Sequence, residues 1–212
     1  MTGPATPARP YEGLAPIYDH VMRHVDYGHW ADHVESLLER HDGTGERLVE
    51  LACGTGTVAC MLAGRGYRVD GFDASTDMIA MARTKARGRQ DVVFDVRDVR
   101  RLGGLGLYDA ALCLYDSLNY MLDVDDIDTA LRQVHDVLRP GALFIFDVCT
   151  ERNSLHHFRD VRDTEQGPGF RYSRHSYYDA DERLQFNAFD IEFDDGAFRQ
   201  ERHVQRIHPH QT

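Results

Sequence analysis

The chain lacks an excess of basic residues. Its 212 residues carry 24 Lys and Arg against 35 Asp and Glu, a formal net charge of −11. Proteins that hold nucleic acid owe much of their affinity to neutralised phosphates, so this balance argues against a nucleic-acid partner. The clusters Arg97, Arg100, Arg101 and Arg159, Arg162 read as solvated surface. No apolar run approaches the length of a membrane span. CxxC and HExxH spacings are missing as well. The four cysteines, Cys53, Cys60, Cys113 and Cys149, fall mostly in apolar segments. They read as small buried residues of a reducing compartment rather than a disulfide framework. His156-His157 and His208-Pro209-His210 read as loop surface, so no metal site is expected. The first ten residues hold three prolines and resemble a loose tail more than a signal or transit peptide. Together these absences point to a cytoplasmic globular protein with no membrane partner, of a length that suits one domain with a small insertion.

What is present is an alternation of strand and helix signals from Glu46 onward. Leu48 to Leu51 reads as the first strand, Thr57 to Gly64 as a helix closed by Gly64 and Gly66, and Tyr67 to Phe72 as a second strand ending at Asp73. Ser75 is an N-cap candidate for a helix spaced by Met78-Ile79, Met81-Ala82 and Ala86. Val92 to Phe94, Tyr108 to Leu114 and Ala142 to Val148 read as further strands, with a helix over Asp125 to Leu138. Strands apolar on both faces suit a parallel sheet covered on each side, hence an α/β, doubly wound, Rossmann-like fold. Two helices, Ala15 to Val25 and His29 to Arg40, are expected before this core. After it the period changes. Arg171 to Tyr178, Leu184 to Phe193 and Ala197 to Ile207 read as an antiparallel meander, with hairpin signals at Asp194-Asp195-Gly196 and Asp179 to Asp181. The expected organisation is a tail with covering helices (1–45), a Rossmann-like core (46–150) and an antiparallel β lid (151–212).

The chemistry concentrates in Glu50-Leu51-Ala52-Cys53-Gly54-Thr55-Gly56. Glycine permits a sharp turn and close approach of a ligand to the main chain. An acid four residues before the first glycine would repel a pyrophosphate and favour a ligand bearing an amine or positive charge. An acid inside an apolar strand also costs free energy unless it is paired. Asp73 lies nineteen residues beyond Gly54 at a strand end, where a carboxylate can accept hydrogen bonds from ribose hydroxyls. Asp98-Val99, Tyr115-Asp116-Ser117 and Asp147 end the later strands, the side on which open parallel sheets bind ligands. Asp147 reads as a strand-end acid without a ligand role.

These features in this order resemble the class I S-adenosylmethionine-dependent methyltransferases over Tyr11 to Ile207. Glu50-x-x-x-Gly54-x-Gly56 resembles their first motif, Asp73 the ribose acid, Asp98-Val99 the adenine-side pair, and Leu138-Arg139-Pro140-Gly141 the turn before strand five. Tyr115-Asp116-Ser117-Leu118-Asn119-Tyr120 and His203-Val204-Gln205-Arg206 resemble a bacterial small-molecule group, some of whose members methylate amino groups of sugars or of glycine. The resemblance implies S-adenosyl-L-methionine as cofactor, held by Tyr18, Glu50, Ala52, Gly54, Gly56, Asp73, Ala74, Met78, Asp98, Val99, Leu114 and Tyr115. Tyr18-Asp19 would be the pair that lies over the cofactor.

The implied reaction is in-line transfer of a methyl group to an N or O nucleophile of a small molecule. The protein mainly aligns the nucleophile and excludes water. Catalytic candidates are Tyr18, Tyr115 and His203, with Tyr11, Asp116, Asn119 and Tyr120 also at the mouth. The competing readings are an NAD(P)-type oxidoreductase, since Gly54-x-Gly56-x-x-Ala59 partly fits the dinucleotide fingerprint, a nucleic-acid methyltransferase and a non-catalytic cofactor-binding partner. In one respect the chain departs from the resemblance. The usual last helix and two strands are absent, so either the chain is truncated or its last strands take a different place beside strand five. An uncovered edge there invites pairing with a second copy, and a homodimer is expected.

Overall fold

A computed structural model describes residues 11–43 and 45–208. The expected N-terminal tail, Met1 to Pro10, lies outside the described residues. A parallel sheet is built from β1 (Arg47–Leu51), β2 (Arg68–Asp73), β3 (Val92–Val96), β4 (Tyr108–Cys113) and β5 (Leu138–Phe146), in the order β3-β2-β1-β4-β5. The order reverses between β1 and β4, which opens a crevice at their carboxyl ends.

Period-two alternation sorts β1 onto two cores. Leu48 faces α2 (Tyr27–Arg40), α3 (Thr57–Gly64) and α4 (Thr76–Lys85), packing with Val34, Leu62 and Ile79. Val49 and Leu51 face α5 (Val124–Val137), packing with Val134 and Val137. Each such aliphatic side chain contributes about 2 kcal/mol by leaving water. Glu50 follows Leu48's parity and is carried toward the α3 side among these apolar groups.

Caps follow the sequence signals. Ser75 Oγ accepts the Met78 N–H at 3.2 Å, and Asp26 Oδ1 accepts the His29 N–H at 2.9 Å, which starts α2 two residues earlier than expected. The expected helix over Ala15 to Val25 is instead a 3₁₀ turn (Ala15–Ile17) opening on Pro16, followed by the single-turn α1 (Tyr18–Val21). β5 spans Leu138–Phe146, beginning four residues earlier than the apolar run suggests.

The second sheet is antiparallel, with order β6-β7-β8-β9: β6 (Asp160–Gly167), β7 (Phe170–Asp179), β8 (Leu184–Phe193) and β9 (Phe198–Arg206). Its last three strands match the expected meander. The first, β6, and the preceding α6 (Glu151–His157) have no counterpart in the sequence reading. β6 carries almost no apolar alternation and is held by its ladder to β7, so a search for hydrophobic period could not find it. This sheet stands apart. No strand pairs with the outer edge of β5 among the described residues, so the meander does not take the place of the usual last strands. Leu14, Ile17 and Val21 of the leading segment pack on Phe170, Phe189 and Ile191, wedging that segment between the two sheets. Among the described residues no helix is long and apolar enough to cross a membrane.

Candidate active site

The loop after β1 is shaped by three left-handed residues, Ala52 (φ 52°), Gly54 (φ 54°) and Gly56 (φ 72°). At Gly54 an added Cβ would approach only Tyr18, at 3.9 Å, so the backbone is bare toward a cavity of about 590 Å³. Gly56 faces the opposite way, where a Cβ would lie 2.3 Å from Phe94 Cζ. Its missing side chain makes room for the core.

Glu50 lines this cavity at 4% exposure, with Oε2 buried and unpartnered. Burial pushes its carboxyl up to about 8. Asp73 accepts the Gly54 N–H on Oδ2 at 2.9 Å and the Ser75 N–H on Oδ1 at 2.8 Å, which ties the glycine loop to the start of α4. Burial raises the Asp73 pKa, and the two amide bonds oppose the rise. At the far wall Asp98 is gripped by Arg100, whose Nη1 also reaches Asp126 at 2.8 Å; the Arg100 hydrogen bond lowers the Asp98 pKa.

The leading segment closes the cavity. Asp19 Oδ1 accepts the Thr55 hydroxyl at 2.6 Å, and Lys85 Nζ reaches Asp19 Oδ2 at 2.9 Å and Thr57 Oγ1 at 2.5 Å. Tyr11, Tyr18, Tyr115 and Tyr120 form a wall whose other side lines a second cavity of about 500 Å³. Tyr11 donates to Tyr120 across 2.6 Å, and Tyr115 is clasped by Tyr27 and Trp30 at ring separations of 5.4 and 4.8 Å. Burial raises the pKa of all four phenols, so they remain protonated near neutrality.

The second cavity joins the ends of β4 and β5 to the antiparallel sheet, through Asp116, Asp147, Gln185, Asn187, His203 and Gln205. Tyr115 and Asp116 are consecutive left-handed residues, at φ 60° and 49°. Such a pair without glycine is strained and is held by its surroundings. Asp147 Oδ2 accepts the Asp116 N–H at 2.9 Å, and Gln205 Nε2 donates to Asp116 Oδ2 at 2.5 Å. His203 Nε2 lies 2.8 Å from Glu201 Oε1, and its Nδ1 lies 3.4 Å from the Tyr120 hydroxyl.

The profile of a family described as a methyltransferase domain matches residues 48–141. A protein of Bacillus subtilis (strain 168) named "Putative methyltransferase YqeM" is 32% identical over 173 residues, covering 81% of this chain and 68% of that protein. The chain belongs to the class I S-adenosylmethionine-dependent methyltransferases. Its cofactor is S-adenosylmethionine, and the oxidoreductase reading is displaced. A solved S-adenosylmethionine-dependent methyltransferase from Clostridium acetobutylicum ATCC 824 shares the fold of this methyltransferase, with a TM-score of 0.78 at 24% identity over 93% of this chain and 82% of that one. A dTDP-3-amino-3,6-dideoxy-alpha-D-glucopyranose N,N-dimethyltransferase from Streptomyces fradiae is 29% identical over 146 residues, 68% of this chain and 56% of that protein. The chain thus spans about two thirds of the length of YqeM and just over half that of the Streptomyces relative.

In this methyltransferase the residues expected at the cofactor line one cavity together, with the exception of Gly56: Tyr18, Glu50, Ala52, Gly54, Asp73, Ala74, Met78, Asp98, Val99, Leu114 and Tyr115. Of the catalytic candidates, Tyr18 and Tyr115 face both cavities and His203 faces the second. Asn119, expected at the mouth, is buried away from both. Its Nδ2 donates to Arg206 O at 2.8 Å and its Oδ1 accepts the Cys149 N–H at 2.8 Å, stapling β4, β5 and β9 together. Asp147, expected to have no ligand role, lines the second cavity with Oδ1 buried and unpartnered. Gln185 and Asn187, on β8, carried no sequence signal; only the fold brings them to the site. His156 and His157 belong to no metal-ligating group, and none occurs among the described residues.

Proposed function

We propose that this methyltransferase acts on an N or O nucleophile of a small molecule, with the cofactor in the larger cavity and the acceptor in the smaller. The observation that carries the reading is the shared wall of Tyr11, Tyr18, Tyr115 and Tyr120, which places the two compartments back to back. When bound, S-adenosylmethionine would supply a methyl group already activated on a sulfonium, for in-line transfer to the acceptor nucleophile.

The residues of the larger cavity fit such a cofactor. The unpartnered Glu50 oxygen suits the positively charged methionine end, bare Gly54 admits its backbone, and Asp73 keeps lone pairs for ribose hydroxyls beyond its two amide bonds. Protonated Tyr18 and Tyr115 serve as walls and hydrogen-bond donors rather than bases. His203, packed against the Tyr11 ring at 4.4 Å and 3.4 Å from the Tyr120 hydroxyl, orients the acceptor from the sheet side. The antiparallel sheet acts as the lid that gives the acceptor pocket its shape.

The same reading has the protein cytoplasmic, which its four free cysteines favour, and without a nucleic-acid partner, which the net charge of −11 favours. The outer edge of β5, unpaired among the described residues and with Phe146 48% exposed, supports a homodimer paired through that edge. Light scattering at high protein concentration checks this, and a strictly monomeric mass removes it.

Calorimetry with S-adenosylhomocysteine and with NADH tests the cofactor assignment; binding of the first and not the second is expected. A screen of amines, sugars and small acids for homocysteine release after enzymatic hydrolysis of the product then tests the acceptor class. Turnover of none of them, with S-adenosylhomocysteine bound, would discard the small-molecule reading.

A further inference from the structure

Several acids of the parallel sheet carry a cationic partner, Asp98 with Arg100 at a carboxyl end among them. At the amino ends, Asp70 is paired with Arg47 at 3.2 Å and with the Tyr108 hydroxyl at 2.7 Å, and Asp109 is paired with Arg139. At the carboxyl ends, Asp116 and Asp147 have no cationic partner among the described residues. Arg174, the one cation among the second cavity's lining residues, is committed to Asp163 at 2.5 Å. Two adjacent half-buried carboxylates, one with a buried oxygen lacking any partner, leave unbalanced negative charge that a cation would relieve.

The surroundings define what kind of cation fits. Gln185 is 1% exposed and lines the same cavity with its Oε1 unpartnered, a second acceptor atom waiting for a donor. The groups facing Asp116 are Tyr18 from the leading helix, Tyr120 from the turn after β4, Asp147 beyond β5, and Gln205 and His203 from β9. The phenols stand where the cavity meets the cofactor compartment, so a group held by Asp116 lies beside the shared wall.

We propose that Asp116, backed by Asp147, holds the acceptor as an ammonium ion and takes its proton, making the second cavity a site for small primary or secondary amines. This rests on the functional reading above. An N–H bond of the ammonium breaks and an O–H bond forms on Asp116, while nitrogen keeps the electron pair that it needs to accept a methyl group. The proton passes to water when the methylated amine leaves. Burial, with the charge of Asp147 adding to it, pushes the Asp116 carboxyl up to about 6 against the opposing Gln205 hydrogen bond, which brings it nearer the range useful for accepting a proton.

The test uses the full chain saturated with S-adenosylhomocysteine and three probes of one shape: cyclohexylamine, cyclohexanol and cyclohexanecarboxylate, followed by ligand-observed NMR. At pH 7.5 the ammonium probe should bind at least about fivefold more tightly than either other probe, and the preference should fade below about pH 6 as Asp116 takes up a proton. Asp116→Asn should erase the preference; asparagine tolerates the left-handed backbone, so the turn is kept. Equal binding of the three probes, or a preference intact in Asp116→Asn, would overturn the proposal. Should that variant fail to fold, the wild-type preference and its pH dependence decide by themselves. Loss of S-adenosylhomocysteine binding would instead strike the functional reading, so the two failures are distinct.

Discussion

The carboxylate of Glu201, on the last strand of the antiparallel sheet, accepts the backbone N–H of Leu14 at 2.8 Å. The same side chain accepts the Gly13 N–H at 2.9 Å and the Tyr11 N–H. A fully buried acid thus satisfies three amides of a segment that has almost no helix of its own to satisfy them. The segment's position over the cofactor cavity depends on this latch and on the Asp19–Thr55–Lys85 contacts.

Removing the latch should therefore loosen the segment before it unfolds the core. For Glu201→Ala we expect about 2–3 kcal/mol of lost local stability, since buried donors are left unmet. Hydrogen exchange should accelerate over residues 11–21 while β1 and β4 stay protected. Unchanged exchange there would show that the latch does not hold the segment.

Gly54→Val and Asp73→Ala should each weaken S-adenosylhomocysteine binding at least tenfold, about 1.4 kcal/mol. The first replaces a left-handed residue at the cavity wall, and the second removes the acceptor of the Gly54 and Ser75 amides. Calorimetry on the two variants checks this. Wild-type affinity in both would refute the site assignment.

Gly56→Ala should behave differently from its neighbour. The added methyl would collide with Phe94, and φ 72° is costly for alanine. A loss of about 2–4 kcal/mol in folding stability is expected. Because the clash is with a core ring, Gly56→Ala combined with Phe94→Leu should recover part of the loss in thermal melts. No recovery would place the strain in the backbone alone.

Glu50 predicts a pH signature. Its folded pKa, about 8, lies above the unfolded value, so the folded chain retains a proton that the unfolded chain has released. This contribution to stability is fully present below about pH 4.5 and is lost as pH rises toward 8. In the other direction, a positively charged cofactor should bind more tightly as pH rises through 8, releasing a proton at neutral pH. Calorimetry in buffers of different ionisation enthalpy should detect that proton for the wild type and not for Glu50→Gln. Identical proton release by both proteins would assign it elsewhere, with Asp73, Asp116 and Asp147, also raised by burial, the next groups to vary.

Much of the core is legible along the chain because its signals are local. The expected helix over Thr57 to Gly64 matches α3, and Ser75 caps α4 as read. α6 and β6 were not legible. One is a short helix started by a Thr150 cap, and the other is a polar strand whose only strong preference is for the ladder offered by β7.

The candidate site divides in the same way. The acid, the glycines and Asp73 announce themselves because each sits at a strand end, where period and turn chemistry can be read along the chain. Asn119 and Asp147 could not be sorted by such reading. A polar residue in a loop looks the same whether it faces a ligand or staples three strands, and only long-range neighbours decide between them. By itself the sequence determined a doubly wound core with a methyl-donor motif along one crest. The tertiary structure alone decided that Gly56 serves packing, that Glu201 anchors the leading segment, and that Asp116 and Asp147 share a cavity with no cationic partner for either among the described residues. Those outcomes depend on pairings between residues up to 190 positions apart, which no local period encodes.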